Sequence, residues 1–429
     1  MIPKVLVLSN ECFSYTTSNG RTLGNFFKNW PKDRLAQFFL SGVPEVEFCK
    51  NYFQVSDKHA LNAVLRKGEC GGIVFPDELK KNTVVDIEST VVRDRKISRN
   101  AITMLIRELV WKTGSWKCSG YWHWVSNFEP EIILLQAGDC AFMFNLALKT
   151  ARRFRAKLVI YNTEGYYFKK FDYFKSTGLA HHLYPIFHYI LKKSIKKTYN
   201  ASDFAIFNCE ALEKDFCGEF NIASDVIYTA TDIQEFETKQ PDKNSFIVSY
   251  AGNLGVGRAT SLVDIANAIH EINPDYYLDV YGTIPNENVQ KEFDKCSGLR
   301  FYGRVSYEEV KKIIYNSDLL IHTEGFEPYY LEDLKYAFST KIADCLASNR
   351  CFLMYAPKEF AETQYLLQNK IAFVATSNSE LKNILQELIK KTEIRTRYCG
   401  NAKDIVQLNH NSKNSVAKFQ DILCGLKSF

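Results

Sequence analysis

Short β-branched and aromatic runs alternate with stretches of helical apolar spacing along nearly the whole chain, and this alternation limits the fold more than any other feature. KVLVL (4–8), RLAQFFLS, YFQVS, EIILLQ, KLVIYN, DFAIFN and DVIYT read as strands. Helical spacing fills 98–113, 139–154 and 182–199, a helix is expected near Arg21, and NCEALEKDF is a short helix. Strand, helix, strand in that order gives βαβ units, hence an α/β protein with a parallel sheet covered by helices on both faces. From about Cys70 to Lys96 the pattern is irregular and polar, which predicts a long loop or insertion. Residues 230–244, ATDIQEFETKQPDKN, then interrupt the scheme with polar residues and Pro241. Beyond them it restarts. FIVSYAG, YYLDVYG, LRFYG, DLLIHTE, RCFLMYA and IAFVA are strands, with helices at about 260–271, 306–316, 339–348, 358–368 and 377–391.

The expectation is two tandem doubly wound, Rossmann-like domains, 1–235 and 236–410. A last helical segment, 411–429, packs back on the first, and a cleft between the domains is where two substrates meet. A length of 429 residues suits two domains, and a hydrophobic content of 46% supplies their cores. No apolar run is long enough to span a bilayer, and Met1-Ile-Pro-Lys leads straight into a strand rather than a signal peptide. Twelve cysteines are scattered without C-x-x-C spacing, which predicts free thiols in a reducing, cytoplasmic compartment. Eight dispersed histidines add no metal-ligand pattern, so no metal site is expected.

Two stretches carry chemistry. In FIVSYAGNLGVGR a strand delivers the chain into Gly252, Asn253, Gly255 and Gly257, and Arg258 stands at the start of a helix. Glycines let backbone approach a phosphate, a helix start offers unbonded N–H groups, and arginine adds fixed charge. The spacing matches neither the dinucleotide fingerprint nor a P-loop. In STKIADCLASNR, Ser339 and Thr340 can cap a helix whose first turn holds Lys341. A lysine there opposes the helix dipole, and a nearby anion accounts for it. Two cationic helix starts suggest a diphosphate-bearing ligand. An ordinary βα turn is the alternative for each piece taken alone.

Charge is unevenly placed. Between Lys149 and Lys197 lie twelve basic and two acidic residues, interleaved with aromatics in KTARRFRAK, YYFKKFDYFK and HHLYPIFHYILKKSIKK. Such a mixture suits a membrane interface or an acceptor surface, with Lys169, Lys170, Phe171, Lys192 and Lys193 as its candidates; solvated helix faces over core aromatics are the alternative. No nucleic-acid module accompanies it, so no nucleic-acid partner is expected.

From YAGNLGVGR through LDVYGTIP, GLRFYGRVSYEEV and SDLLIHTE to FSTKIADCLASNRCFLMYAP, residues 245–425 resemble the donor domain of the GT-B glycosyltransferases, specifically the retaining glycosyltransferase family 4. SNGRT in the N-terminal half, with Asn19 and Gly20, looks like that family's first loop, near donor phosphates and acceptor. The resemblance implies a nucleotide diphosphate sugar as donor, UDP-sugar first and GDP-sugar next, and a hydroxyl acceptor, lipid-linked or a growing surface polysaccharide. It places Arg258 and Lys341 at the diphosphate, Gly303 at the base and Asp344 at the ribose, with Gly282, Thr283 and Arg304 as further donor contacts. The family's other paired glutamate falls on Tyr336, which leaves Glu324 or Glu327, slightly upstream, as the candidates for that carboxylate. Asn349 and Cys351 replace the usual glycine and proline, and asparagine tolerates positive φ. With no plausible D-x-D cluster, no metal or other cofactor is implied; Arg258, Lys341 and helix N–H groups would carry the leaving charge. Glu164, ending the strand in VIYNTEGYY, is either an acceptor- or sugar-orienting carboxylate or a loop carboxylate. The rival readings are an inactive GT-B subunit that scaffolds another glycosyltransferase, and a nucleotide-sugar epimerase.

Overall fold

The computed structural model describes residues 2–15, 17–76, 99–233, 246–395 and 399–426. The chain forms two compact units, Met1–Ile227 with Val416–Phe429, and Tyr228–Ser415.

In the first unit eight strands form one sheet: β1 (Val5–Glu11), β2 (Leu35–Ser41), β3 (Asn51–Gln54), β4 (Gly72–Val74), β5 (Ile132–Gln136), β6 (Lys157–Asn162), β7 (Phe204–Phe207) and β8 (Ser224–Val226). Their order is β4-β3-β2-β1-β5-β6-β7-β8, so the connection from the β1–β4 half crosses over to β5 beside β1. Every pair is parallel except β3–β4. The antiparallel β4 corrects part of the loop expected over 70–96; residues 77–98 of that stretch, and the first residue of the helix expected over 98–113, lie outside the described residues. Val5 to Leu8 and Ile132 to Leu135 are fully buried, as continuous apolar runs must be when helices cover both faces.

The helix expected near Arg21 spans Ser18–Phe26, because Thr17 caps it by accepting a hydrogen bond from Gly20 N. Its other end is closed by Gln420 of the helix Ser412–Gly425, whose Nε2 donates to the carbonyls of Phe26 and Lys28 at 3.2 and 2.9 Å. The same helix buries Phe419, stacked on Phe26 with centroids 4.5 Å apart. Side-chain donors at a helix end satisfy carbonyls that have no partner within it.

The second unit holds β9 (Val248–Ala251), β10 (Leu278–Tyr281), β11 (Leu299–Gly303), β12 (Leu319–Thr323), β13 (Cys351–Tyr355) and β14 (Phe373–Ala375), all parallel, in the order β11-β10-β9-β12-β13-β14. Sequence spacing passes over the helix Glu287–Lys295, since only Phe293 of it is buried and the Asn286 cap, rather than an apolar stripe, marks its start. Asp57–Leu65 and Tyr121–Phe128 are likewise helices without a clear sequence signal. Of the expected polar break, residues 234–244 lie outside the described residues; just before them the chain is already held by the second unit. Thr231 N donates to His410 O at 2.9 Å, and Thr231 forms an isolated bridge with Asn411.

His410 is fully buried. Its Nδ1–H donates to Thr229 O at 2.7 Å and Nε2 accepts from Tyr365 Oη at 2.9 Å, an arrangement that requires the neutral ring. Burial pushes its pKa down to about 4, the Thr229 carbonyl only partly opposing it. The unfolded chain therefore binds an extra proton below its ordinary value of 6.5. Stability from this site is fully present above pH 6.5 and is lost as pH falls toward 4. The urea midpoint is expected to drop across that window, with a smaller drop in His410→Asn, measured by circular dichroism at fixed ionic strength.

Candidate functional site

The order of the second sheet reverses between β9 and β12. Loops leaving the carboxyl ends of these two neighbours diverge, and a ligand crevice forms at such a point. The loop after β9 runs from Gly252 to Gly257 into the helix Arg258–Ile272; the loop after β12 begins at Glu324. The two backbones touch. Gly257 has φ +81°, and a Cβ there would lie 2.7 Å from Gly325 Cα, so this position is closed to other residues.

Arg258 and Glu324 meet at that junction. Arg258 Nε and Nη2 donate to Glu324 Oε1 at 3.0 and 2.6 Å, both residues being buried. Ser261 Oγ donates to the Glu324 carbonyl at 2.8 Å and fixes the loop to the helix. Burial pushes the Glu324 carboxyl up, but His322 and the Arg258 guanidinium outweigh it and hold the group below its ordinary range. The bonds to Glu324 leave the guanidinium three further N–H donors.

His322, two residues back at the end of β12, is fully buried. Its Nε2 lies 3.3 Å from Glu324 Oε1 and 3.5 Å from Glu362 Oε1, yet neither ring nitrogen makes an aligned hydrogen bond. Glu362, in the first turn of the helix Ala361–Asn369, accepts Ser339 N on Oε2 at 3.1 Å. That bond anchors the start of the helix Thr340–Ala347, where Ser339 Oγ accepts from Lys341 N at 3.4 Å.

Lys341 is partly buried, and its stem lies along Gly252: a Cβ on that glycine would come 2.5 Å from Nζ. Nζ also sits 5.6 Å from the Tyr250 ring centroid. Burial, then Arg258, pushes its pKa down to about 8, against the pull of Glu324 and Glu362. The fold thus brings Gly252, Gly257, Arg258, Glu324, Ser339 and Lys341 into one network, although three strands and several helices separate them in sequence.

Other candidates surround it less closely. Gly252 N donates to Tyr281 O at 2.8 Å and Gly282 N to Gly303 O at 2.9 Å, so the ends of β9, β10 and β11 lie side by side. Asn253, Thr283, Arg304, Glu327 and Thr340 are exposed, and Gly255 N bonds to Asn253 Oδ1 at 2.8 Å. Asp344 Oδ1 accepts from Thr231 Oγ1 at 2.5 Å. Tyr336 is buried and its hydroxyl takes a 2.9 Å bond from Lys335. Asn349 does adopt positive φ, at 54°. A cavity of about 580 Å³ adjoins this side of the unit, lined by Thr231, Leu346, Asn349, Lys403, Gln407 and His410 among others.

In the first unit Asn19 and Glu164 line a second cavity, of about 760 Å³, at the β1–β5 crossover with Glu11, Arg107, Gln136 and Asp139. Gly20 packs over Cys12 O, which a Cβ would approach to 2.4 Å. Lys170, Phe171 and Lys193 are exposed, and Lys192 lies 4.6 Å from the Tyr167 ring centroid. Lys169 does not belong to that surface. It is buried, with Nζ 5.0 Å from the ring centroids of both Tyr166 and Tyr173.

Glu362 was not among the sequence candidates. A signal was present: a glutamate in the first turn of AETQYLL, on the face that also buries Tyr365 and Leu366.

No family model and no curated protein matches this chain. Solved structures do share its fold. Anabaena HepE in complex with UDP and glucose superposes with a TM-score of 0.60 at 13% identity, over 99% of this chain and 100% of that one. WaaG, a glycosyltransferase involved in lipopolysaccharide biosynthesis, gives 0.56 at 10% identity over 98% and 100%. Sucrose-phosphate synthase from Thermosynechococcus elongatus gives 0.58 at 10% over 98% of each. The chain has the GT-B fold, two Rossmann-like domains with parallel sheets.

Removing one member of the buried ion pair leaves the other charge uncompensated, at a cost of about 3–5 kcal/mol. Arg258→Met is expected to lose about that much in urea denaturation, and Arg258→Met with Glu324→Gln to recover most of it.

Proposed function

We propose that this chain is a retaining, family 4-type glycosyltransferase that moves a sugar from a nucleotide diphosphate sugar, UDP-sugar first and GDP-sugar next, to a hydroxyl acceptor. The observation that carries the reading is the pairing of Arg258 and Lys341 with two helix starts at the crossover of the second sheet. The UDP complexes known for HepE, which shares the fold, support it.

As the glycosidic bond breaks, negative charge grows on the departing diphosphate. Arg258, held in place by Glu324, and Lys341, held over Gly252, meet that charge together with the N–H groups of Gly257 and Thr340. Fixed donors in a partly dry site stabilise developing charge without reorganising, which is where most of such a rate enhancement arises. The diphosphate then needs no metal of its own. Glu324 acts as a positioning residue for Arg258, since its carboxylate faces the guanidinium. Gly303 receives the base, Gly282, Thr283 and Arg304 are further donor contacts, and Asp344 accepts the ribose hydroxyls. On the first unit Asn19, Gly20 and Glu164 line the acceptor's side.

The acceptor we assign is a lipid-linked or growing surface-polysaccharide saccharide, approached from the cytoplasmic face of a membrane. On the helix Gly178–Tyr199, Leu179, His182, Ile186, Tyr189, Lys193 and Lys197 recur at helical spacing and are all exposed, which supports peripheral contact with anionic lipid. Among the described residues no helix is long and apolar enough to cross a membrane. Sedimentation with phosphatidylglycerol vesicles is expected to carry the protein down at low salt, and Ile186→Ser with Lys193→Glu to leave it in the supernatant.

Calorimetric titration of UDP and GDP tests the donor site. Selective binding of one of them is expected, weakened at least about tenfold in Lys341→Met. Lys341 is charged below pH 8 and loses its proton above it, so wild-type affinity falls as pH rises from 7 to 9.5, and Lys341→Met loses that dependence. A folded protein that binds neither nucleotide would overturn the reading. Binding without transfer to any acceptor would favour the scaffold subunit.

A further inference from the structure

We propose that His322, Glu324 and Glu362 hold a structural divalent ion of the zinc class. The argument is geometric and does not depend on which nucleotide or sugar the protein handles.

All three residues are at most 1% exposed, and one ligand atom from each lies within 4.8 Å of the others. His322 Nδ1 and Nε2, Glu324 Oε2 and Glu362 Oε1 are buried without a hydrogen-bond partner. Three of these, Nε2, Oε2 and Oε1, can face one ion, and such a cluster is unusual because buried polar atoms are otherwise almost always bonded. A shared proton does not account for them: His322 Nε2 is near both carboxylates, at 3.3 and 3.5 Å, and aligned with neither.

The 3.5 Å between His322 Nε2 and Glu362 Oε1 fits a different centre, which Glu324 meets with its unbonded Oε2, since Oε1 is held by Arg258. A tetrahedral ion with bonds of about 2.0–2.2 Å to nitrogen and oxygen sets its ligand atoms about 3.3–3.6 Å apart. The surroundings also suit ligands. Metal-binding carboxylates are themselves held by outer hydrogen bonds. Here Arg258 donates to Glu324 Oε1, and Ser339 N to Glu362 Oε2. One imidazole and two carboxylates make a mixed nitrogen and oxygen set that takes zinc or a neighbouring first-row ion. Because the ligands are enclosed, the ion enters as the chain folds and braces three segments: the end of β12, the helix Ala361–Asn369 and, through Ser339, the helix Thr340–Ala347.

Full-length protein unfolded in urea with EDTA and refolded with or without one equivalent of ZnCl2 or CoCl2 tests this. Wild type is expected to retain one equivalent of zinc after dialysis, melt at a higher temperature with it, and show the intense visible absorption of four-coordinate cobalt. His322→Ala and Glu362→Gln each lose at least about 100-fold in zinc affinity. His181→Ala with His182→Ala, on an exposed face, changes nothing. Retention of no metal by refolded wild type would overturn the proposal, as would zinc binding that His322→Ala and Glu362→Gln leave unmoved. Should both variants misfold, the cobalt spectrum of wild type decides: weak six-coordinate bands, or none, count against the site.

Discussion

The Arg258–Glu324 pair is the interaction on which the second domain's ligand end depends. A buried ion pair contributes little net stability over an apolar pair of the same size, but loss of one partner is costly. Its effect is therefore on geometry. It fastens the first turn of the helix after β9 to the loop after β12, at the point where their paths diverge, and the bond from Ser261 to the Glu324 carbonyl repeats the attachment on the backbone. Glu362 extends the tie to Ser339 and hence to the helix that carries Lys341. Two cations that would otherwise repel are held close by two carboxylates placed behind them.

That placement has an electrostatic consequence. Arg258, Lys341, Glu324 and Glu362 balance formally, so the site is less attractive to an anion than its two cations alone suggest. The depressed pKa of Lys341 reports the same situation, with burial and Arg258 outweighing the carboxylates. A bound anion reverses the balance and draws a proton onto Lys341. Affinity and protonation are coupled in this design.

Much of the architecture was legible because the inner strands are buried on both faces and so read as continuous apolar runs, as in VLVL and IILL. The cationic helix starts were visible as charges in unusual positions, and Asn349, a residue type that tolerates positive φ, does adopt it. Elements that owe little to burial were not legible. β4 is three residues long at a sheet edge with Ile73 exposed, and the helix Glu287–Lys295 buries one side chain. Partnerships were harder still. Glu324 read as an available carboxylate because sequence does not show what it faces, and Glu362 was passed over because its partners lie on other elements. Lys169 read as a surface charge, although Tyr166 and Tyr173 place their rings beside it.

The course of the chain between units has a topological meaning. The second unit is entered at Tyr228 and left after Ser415, and both ends are secured within it at one place. Thr229 and Thr231 bond to His410, Thr231 bridges to Asn411, and the Tyr228 ring packs at a tilt against that of His410. The second unit is thus an insertion with a stitched base, its two ends neighbours rather than opposite poles. Such a module can in principle be excised or circularly permuted at the seam with little loss of internal contacts, whereas the first unit is discontinuous and recovers its C-terminal helix only after the whole insertion has been made. Synthesis order and folding order therefore differ: the first sheet emerges first but must wait for Phe419 and Leu423 to complete its core.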